Sequence, residues 1–203
     1  ELQEEVRSSG HILTTGSDME IIPHLYEIYG DTFVNKIRGM FVLVLIDKNS
    51  QELKIFVDRL GEKPIYWSRK DEFFIYSSEV VPLLKSKLVD MVLDSNQIPS
   101  YFKYGFTLDP FTIVRDVYRV SGGTFLTFSI RDNSIKQTRY WSCLNAKGHI
   151  LNPMTQLNYE LENIYKFIGQ GEVKFGIALS GGADSQLLAK NIFSNFHDLE
   201  SIT

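Results

Sequence analysis

The sequence predicts an α+β domain built on antiparallel sheets, joined to the opening of an α/β domain. Three observations carry this reading. Short apolar runs separated by polar turns of hairpin length fill residues 1–145; one amphipathic helix interrupts them; and past a change of periodicity near 144–153 the order becomes helix, strand, glycine loop, helix. The two domains are placed at 1–145 and 146–203.

The helix comes first. Ser17 stands three residues before Glu20 in the pattern of a capping box, and Ile22, Leu25, Tyr26 and Tyr29 recur at helical spacing until Gly30. Pro23 is awkward in a helix that starts at Ser17, because it removes a hydrogen bond just past the first turn. Strands are expected at 41–46, 53–57, 65–68, 73–77 and 124–130, with turns such as Lys48-Asn49-Ser50-Gln51 and Arg69-Lys70-Asp71-Glu72 between neighbours. In the second part a helix at 156–168, a buried strand at 174–179 and a helix at 185–193 open a βα unit, and 199–203 reads as a further strand. Such a unit needs more βα repeats to cover its sheet, so this domain is expected to be incomplete within the chain.

Composition excludes several function classes. The 25 acidic and 21 basic residues are scattered and sum to a net charge of -4, so no basic stripe is present to follow a phosphate backbone, and nucleic acid is not an expected partner. The longest apolar run, 40–46, is too short to cross a bilayer, and the expected location is cytoplasmic. The single cysteine, Cys143, permits no internal disulfide and reads as a small apolar residue, and the four histidines show no ligand spacing.

The sharpest motif is Ser180-Gly181-Gly182-Ala183-Asp184-Ser185, between a strand ending Ala178-Leu179 and a helix. Two glycines let the backbone curl so that successive N–H groups and the helix start converge on an anion, with the Ser180 and Ser185 hydroxyls as further donors. Asp184 repels a phosphate by its own charge, so its sensible role in such a site is to hold a magnesium ion bridging phosphate oxygens. The bland alternative is a capped glycine turn. No Gly-x-x-x-x-Gly-Lys-Ser/Thr run exists, which excludes the kinase and GTPase loop. The segment instead resembles the pyrophosphate loop of enzymes that split ATP into AMP and pyrophosphate, which implies ATP and Mg2+ as cofactors, with Ala178 and Leu179 beside the adenine and ribose.

That loop alone leaves several ATP-pyrophosphate families open, and the first half narrows the choice. The runs Thr15-Gly16-Ser17-Asp18-Met19-Glu20, Arg38-Gly39-Met40-Phe41, 58–66 (beginning Asp58-Arg59-Leu60-Gly61), Ser77-Ser78-Glu79 and Tyr140-Trp141, in this order, resemble the class II glutamine amidotransferase domain of the asparagine synthetase family. The resemblance implies a four-layer sandwich of the N-terminal-nucleophile type, two antiparallel sheets between helices, joined to an α/β pyrophosphate-loop domain. It implies that Asp18 binds the α-amino group of glutamine. A structural reading competes, since an aspartate in a first helical turn is favoured by the helix dipole. Gly61, Lys63 and Pro64 are expected to shape a loop and have no catalytic role.

Three departures from the family pattern stand out. Val57 replaces the usual arginine before Asp58, Ala183 stands where leucine is common, and residue 1 is Glu1 rather than the cysteine whose thiol and free amine act as nucleophile and base in class II domains. The chain therefore assigns no catalytic residue of its own, is expected to start just after the nucleophile end of the sandwich, and by itself is expected not to hydrolyse glutamine. The function implied for the parent protein is glutamine-dependent asparagine synthesis. Ammonia from glutamine passes through an internal channel and attacks β-aspartyl-AMP; glutamine and aspartate are the partners and a homodimer is possible. Two alternatives are a relative acting on another carboxylate and a non-catalytic amidotransferase-like module.

Overall fold

The computed structural model describes residues 2–145, 152–168, 176–195 and 200–202, in two compact units that divide between Ala146 and Lys147. The first unit runs α1 (Leu2–Ser8), α2 (Ile21–Tyr29), a 3-10 segment (Gly30–Lys36), β1 (Val42–Asp47), β2 (Glu52–Val57), β3 (Tyr66–Lys70), β4 (Phe73–Ser77), α3 (Val80–Lys85), α4 (Ile98–Tyr104), β5 (Val117–Arg119), β6 (Thr124–Ser129) and β7 (Ile135–Arg139). The second contains α5 (Pro153–Ile168), β8 (Gly176–Ala178), α6 (Ala183–Asn195) and β9 (Glu200–Ile202).

In the first unit β1-β2-β6-β7 form one antiparallel sheet and β4-β3-β5 another. Alternation along β2 explains how both faces of the first sheet are used. Phe56 points to one side, where it meets Phe33 edge-on and stacks on Phe125 beneath Val6 of α1 and Leu25 of α2. Ile55 and Val57 point to the other, into a cluster with Ile65, Leu126 and Phe128. The second sheet closes that cluster, because Phe74 of β4 stacks on Phe128 with ring centroids 4.6 Å apart. Its far face packs Tyr66, Ile75 and Val117 against Leu83 of α3. The layers are thus helices, sheet, sheet, helix.

Val57 is fully buried in the cluster between the sheets, an apolar site that suits valine. The same alternation places Lys54 on the Phe56 side, nearly buried, where Asp31 at 2.7 Å and Glu52 at 3.2 Å neutralise it. Burial alone lowers the pKa of Lys54, but hydrogen bonds to Asp31 and Tyr26 outweigh it and the net shift is upward.

The expected capping box does not form. The Glu20 carboxylate takes the backbone amides and hydroxyls of Thr14 and Thr15 instead, while the Ser17 hydroxyl accepts from the Met19 amide. Four donors from the two threonines displace the one N–H that Ser17 offers. The helix consequently begins at Ile21, and Pro23 falls in its first turn, where the missing N–H has no intrahelical partner to lose. Gly30 ends it with φ 55°, its N–H bonded to the Tyr26 carbonyl.

The second unit pairs β8 with β9 in parallel, and α5 and α6 pack Tyr165, Ala189 and Ile192 on Ile177. The expected start of the strand at 174 lies outside the described residues.

Candidate functional site

Between α1 and α2 the chain makes a loop, and Glu20 braces it by gathering Thr14 and Thr15 at 2.6–2.8 Å. Those hydrogen bonds, chiefly from the Thr14 amide, hold the Glu20 carboxyl down to about 2. Asp18 sits within this braced loop, exposed and ahead of the helix rather than in its first turn. Among the described residues its carboxylate has no hydrogen-bond or ion-pair partner, so a capping role is not what it performs. It lines an open cleft with Arg38, Ile22, Met40 and Phe41, offering one carboxylate and one guanidinium over an apolar floor. Two other clefts, one beside Arg69 and Asp90 and one beside Tyr101 and Arg119, do not include Asp18.

The floor is anchored from behind by Asp58, which is almost fully buried. Its Oδ1 accepts from the Leu60 and Glu62 amides and its Oδ2 from the Phe41 and Lys63 amides, at 3.0–3.3 Å. Burial pushes its pKa up, but the backbone donors from Glu62, Lys63, Phe41 and Leu60 outweigh that and hold the carboxyl below its ordinary value. Loop 58–64 is therefore tied to the strand entry that carries Phe41. Gly61, at φ 69°, supplies the left-handed turn, and Gly122 crosses so closely that a Cβ there would lie 2.5 Å from the Gly61 nitrogen. Tyr140 completes the clamp by donating to the Val57 carbonyl at 2.7 Å; burial and the Asp58 charge push its phenol up to about 12.

Cys143 corrects its expected role. It is exposed, in a short 3-10 turn (Cys143–Asn145) past the last strand of the first unit, and is not a core residue. The histidines also differ from expectation. His11 and His24 lie with their Nδ1 atoms 3.1 Å apart, beside Glu27. A separation of thirteen positions carries no local ligand pattern, and only the packing of the post-α1 segment against α2 brings them together.

In the second unit the glycine motif links β8 to α6. Gly181 has φ 77° and open space where a side chain would project, while the Ser180 and Ser185 hydroxyls lie 3.2 Å apart. α6 begins at Ala183, two residues earlier than expected, so Asp184 is an exposed acid in its first turn. Ala178 is exposed at the end of β8, and the half-buried Leu179 packs on the core, leaving its backbone for any contact with a ligand.

Residues 1–141, which hold the two antiparallel sheets layered between helices, match the family model described as a glutamine amidotransferase domain. The chain belongs to that family, and several of its relatives are named glutamine-hydrolysing asparagine synthetases. It is 28% identical over 195 residues to the putative glutamine-hydrolysing asparagine synthetase 2 of Methanocaldococcus jannaschii, covering 93% of this chain and 37% of that protein. It is 27% identical over 203 residues to the glutamine-hydrolysing asparagine synthetase 1 of Bacillus subtilis, covering 97% and 31%. Amidase chry2 of Gibberella zeae is 28% identical over 182 residues, covering 85% and 26%. The chain thus spans about a third of the length of the asparagine synthetases it resembles. Among the described residues no helix is long and apolar enough to cross a membrane.

Proposed function

We propose that the protein carrying this chain hydrolyses glutamine to glutamate and joins the ammonia released to the side-chain carboxylate of aspartate at the expense of ATP, giving asparagine, AMP and pyrophosphate. The observation that carries the reading is the succession in one chain of an amidotransferase sandwich, with Asp18 free in its cleft, and a strand–glycine loop–helix with converging hydroxyls. Names of the relatives support the same pairing of glutamine and asparagine.

Asp18 holds the ammonium group of glutamine by a charge-assisted hydrogen bond, and the Glu20 brace keeps it in position. In the second unit the residues present fit a polyphosphate. The open backbone at Gly181, the first N–H groups of α6 and the Ser180 hydroxyl form a donor set for an anion, which the Ser185 hydroxyl joins on releasing the Gly182 carbonyl it now bonds at 2.9 Å. Asp184 would hold Mg2+, whose charge would offset that of the pyrophosphate. Ala178 and the Leu179 backbone lie at the strand end where the nucleoside belongs. Aspartate activated in this way as its acyl-adenylate is open to attack by ammonia, and the cytoplasm, where ATP and glutamine are abundant, is the compartment this chemistry suits.

The test supplies the protein carrying this chain with amide-15N glutamine, aspartate and MgATP. The label should enter asparagine, with AMP and pyrophosphate formed in equal amounts. Label found only in free ammonia, or ADP and phosphate as the nucleotide products, would overturn the proposal.

A further inference from the structure

His11 follows α1, and His24 and Glu27 lie one turn apart on α2. The three present their Nδ1, Nδ1 and Oε2 atoms as a small triangle with edges of 3.1, 3.5 and 3.7 Å. Two of those edges, at 3.5 and 3.7 Å, are too long to be good hydrogen bonds. A cation at the centre satisfies all three. Four ligands held tetrahedrally at about 2.05 Å lie about 3.3 Å from one another, close to the observed edges. Because the three atoms lie on a circle of radius about 2.0 Å, equal bonds of about 2.05 Å place the ion about 0.5 Å out of their plane, with a fourth, tetrahedral position on the open side.

The separation of the ring centroids agrees with the same arrangement. A zinc ion bonded along the axis of each imidazole, at about 2.05 Å from nitrogens 3.1 Å apart, puts the ring centroids about 4.8 Å apart. They are 4.8 Å apart, with the rings tilted by 53°. A straight N–H···N bond at the same nitrogen separation would spread them to about 5.4 Å. Both rings are about three-quarters buried and Glu27 is largely exposed, which leaves room for water at a fourth position.

We propose that His11, His24 and Glu27 form a zinc-type site for a divalent transition-metal ion, distinct from the glutamine cleft and the glycine loop. Two imidazoles and one carboxylate are a donor set suited to Zn2+. The ion would close the segment between residues 11 and 24, which contains Asp18 and the Glu20 brace, and so restrain the loop that carries the cleft's free carboxylate.

The test titrates Zn2+ into the metal-free full chain by calorimetry and follows Co2+ as a spectroscopic substitute. One equivalent of Zn2+ should bind and raise Tm, and one equivalent of Co2+ should give the intense visible absorption of a tetrahedral site. His24→Gln and, separately, His11→Gln should weaken binding more than tenfold, since changes even to groups that only support a metal ligand cost about 10–100-fold. Glu27→Gln should also weaken it. Cys143→Ser and His197→Ala should bind as the unaltered chain does. Far-UV circular dichroism establishes that each variant is folded, and the exposed Glu27 provides a site whose change does not threaten the core. Absence of stoichiometric binding, unchanged affinity in both histidine variants, or loss of binding on changing Cys143 or His197 would each overturn the proposal.

Discussion

Thr14 donates both its backbone amide, at 2.6 Å, and its hydroxyl, at 2.7 Å, to one oxygen of Glu20, while Thr15 does the same to the other oxygen. The loop holding Asp18 is therefore closed by a carboxylate that belongs to the residue preceding the helix. Because the folded pKa of Glu20 is depressed to about 2, this brace is fully present above the ordinary glutamate pKa of about 4.3–4.5 and is lost as pH falls through about 2. Amide hydrogen exchange at Thr14 and Thr15 should show protection at neutral pH that Glu20→Gln diminishes. Equal exchange in the two proteins would contradict the brace.

Asp58 should matter to stability rather than to chemistry. Asp58→Ala leaves four backbone N–H groups without their acceptor in a buried place, a loss of about 2–4 kcal/mol. Asp58→Asn should recover little of it, since each carboxylate oxygen serves two donors and an amide presents an NH2 group to one of those pairs. The Asp58 contribution is complete above the unfolded aspartate pKa of about 3.9 and declines below it, because the folded value is the lower one. Urea unfolding followed by the fluorescence of Trp67 and Trp141 measures each variant, and a shift under about 0.5 kcal/mol for Asp58→Ala would contradict the anchoring role.

Gly122 and Gly16 should respond oppositely to alanine. A Cβ on Gly122 would meet backbone atoms of Gly61 and Leu60 at 2.5–2.6 Å, so Gly122→Ala should cost about 1–3 kcal/mol, whereas a Cβ on Gly16 meets nothing within 4 Å. Gly16→Ala should be neutral or stabilise slightly by restricting the unfolded chain. The same urea experiment compares them, and equal midpoints would show that loop 58–64 can yield.

How far the fold was legible follows from these particulars. The hairpins of β1, β2, β3 and β4 could be read because apolar runs alternate with polar turns, and β4 falls at the expected 73–77. β7 was not read, since Ile135–Arg139 is almost wholly polar and owes its pairing to β6 alone. β5 is only three residues long, and α1 contributes a single buried residue, Val6, from an otherwise mostly polar sequence. The capping box misled because local pattern cannot register two threonines that compete for Glu20. Of the candidate sites, the glycine loop was legible from its strand and helix flanks, and Asp18 only through family resemblance. The His11–His24–Glu27 triangle was invisible because it exists only once α2 packs against the segment after α1.

Asp184→Ala in the protein carrying this chain should abolish aspartate-dependent pyrophosphate release and spare glutamine hydrolysis. An exposed acid that merely complements the helix dipole would cost only about 0.3–1 kcal/mol of stability and leave turnover intact. Pyrophosphate and glutamate release measured on one preparation separate the cases, and near-normal pyrophosphate release would remove Asp184 from the proposed ATP site.

Asp18→Ala tests the central claim most directly, with asparagine formation measured against two nitrogen sources, glutamine and ammonium. Loss of a charge-assisted hydrogen bond to the substrate ammonium should cost about 1.5–3 kcal/mol, which is roughly a ten- to hundredfold weaker apparent affinity for glutamine. Ammonium-dependent synthesis should stay at the level of the unaltered protein, because among the described residues Asp18 lines the cleft proposed for glutamine and not the glycine loop. Unchanged use of glutamine, or an equal loss with both nitrogen sources, would contradict the account.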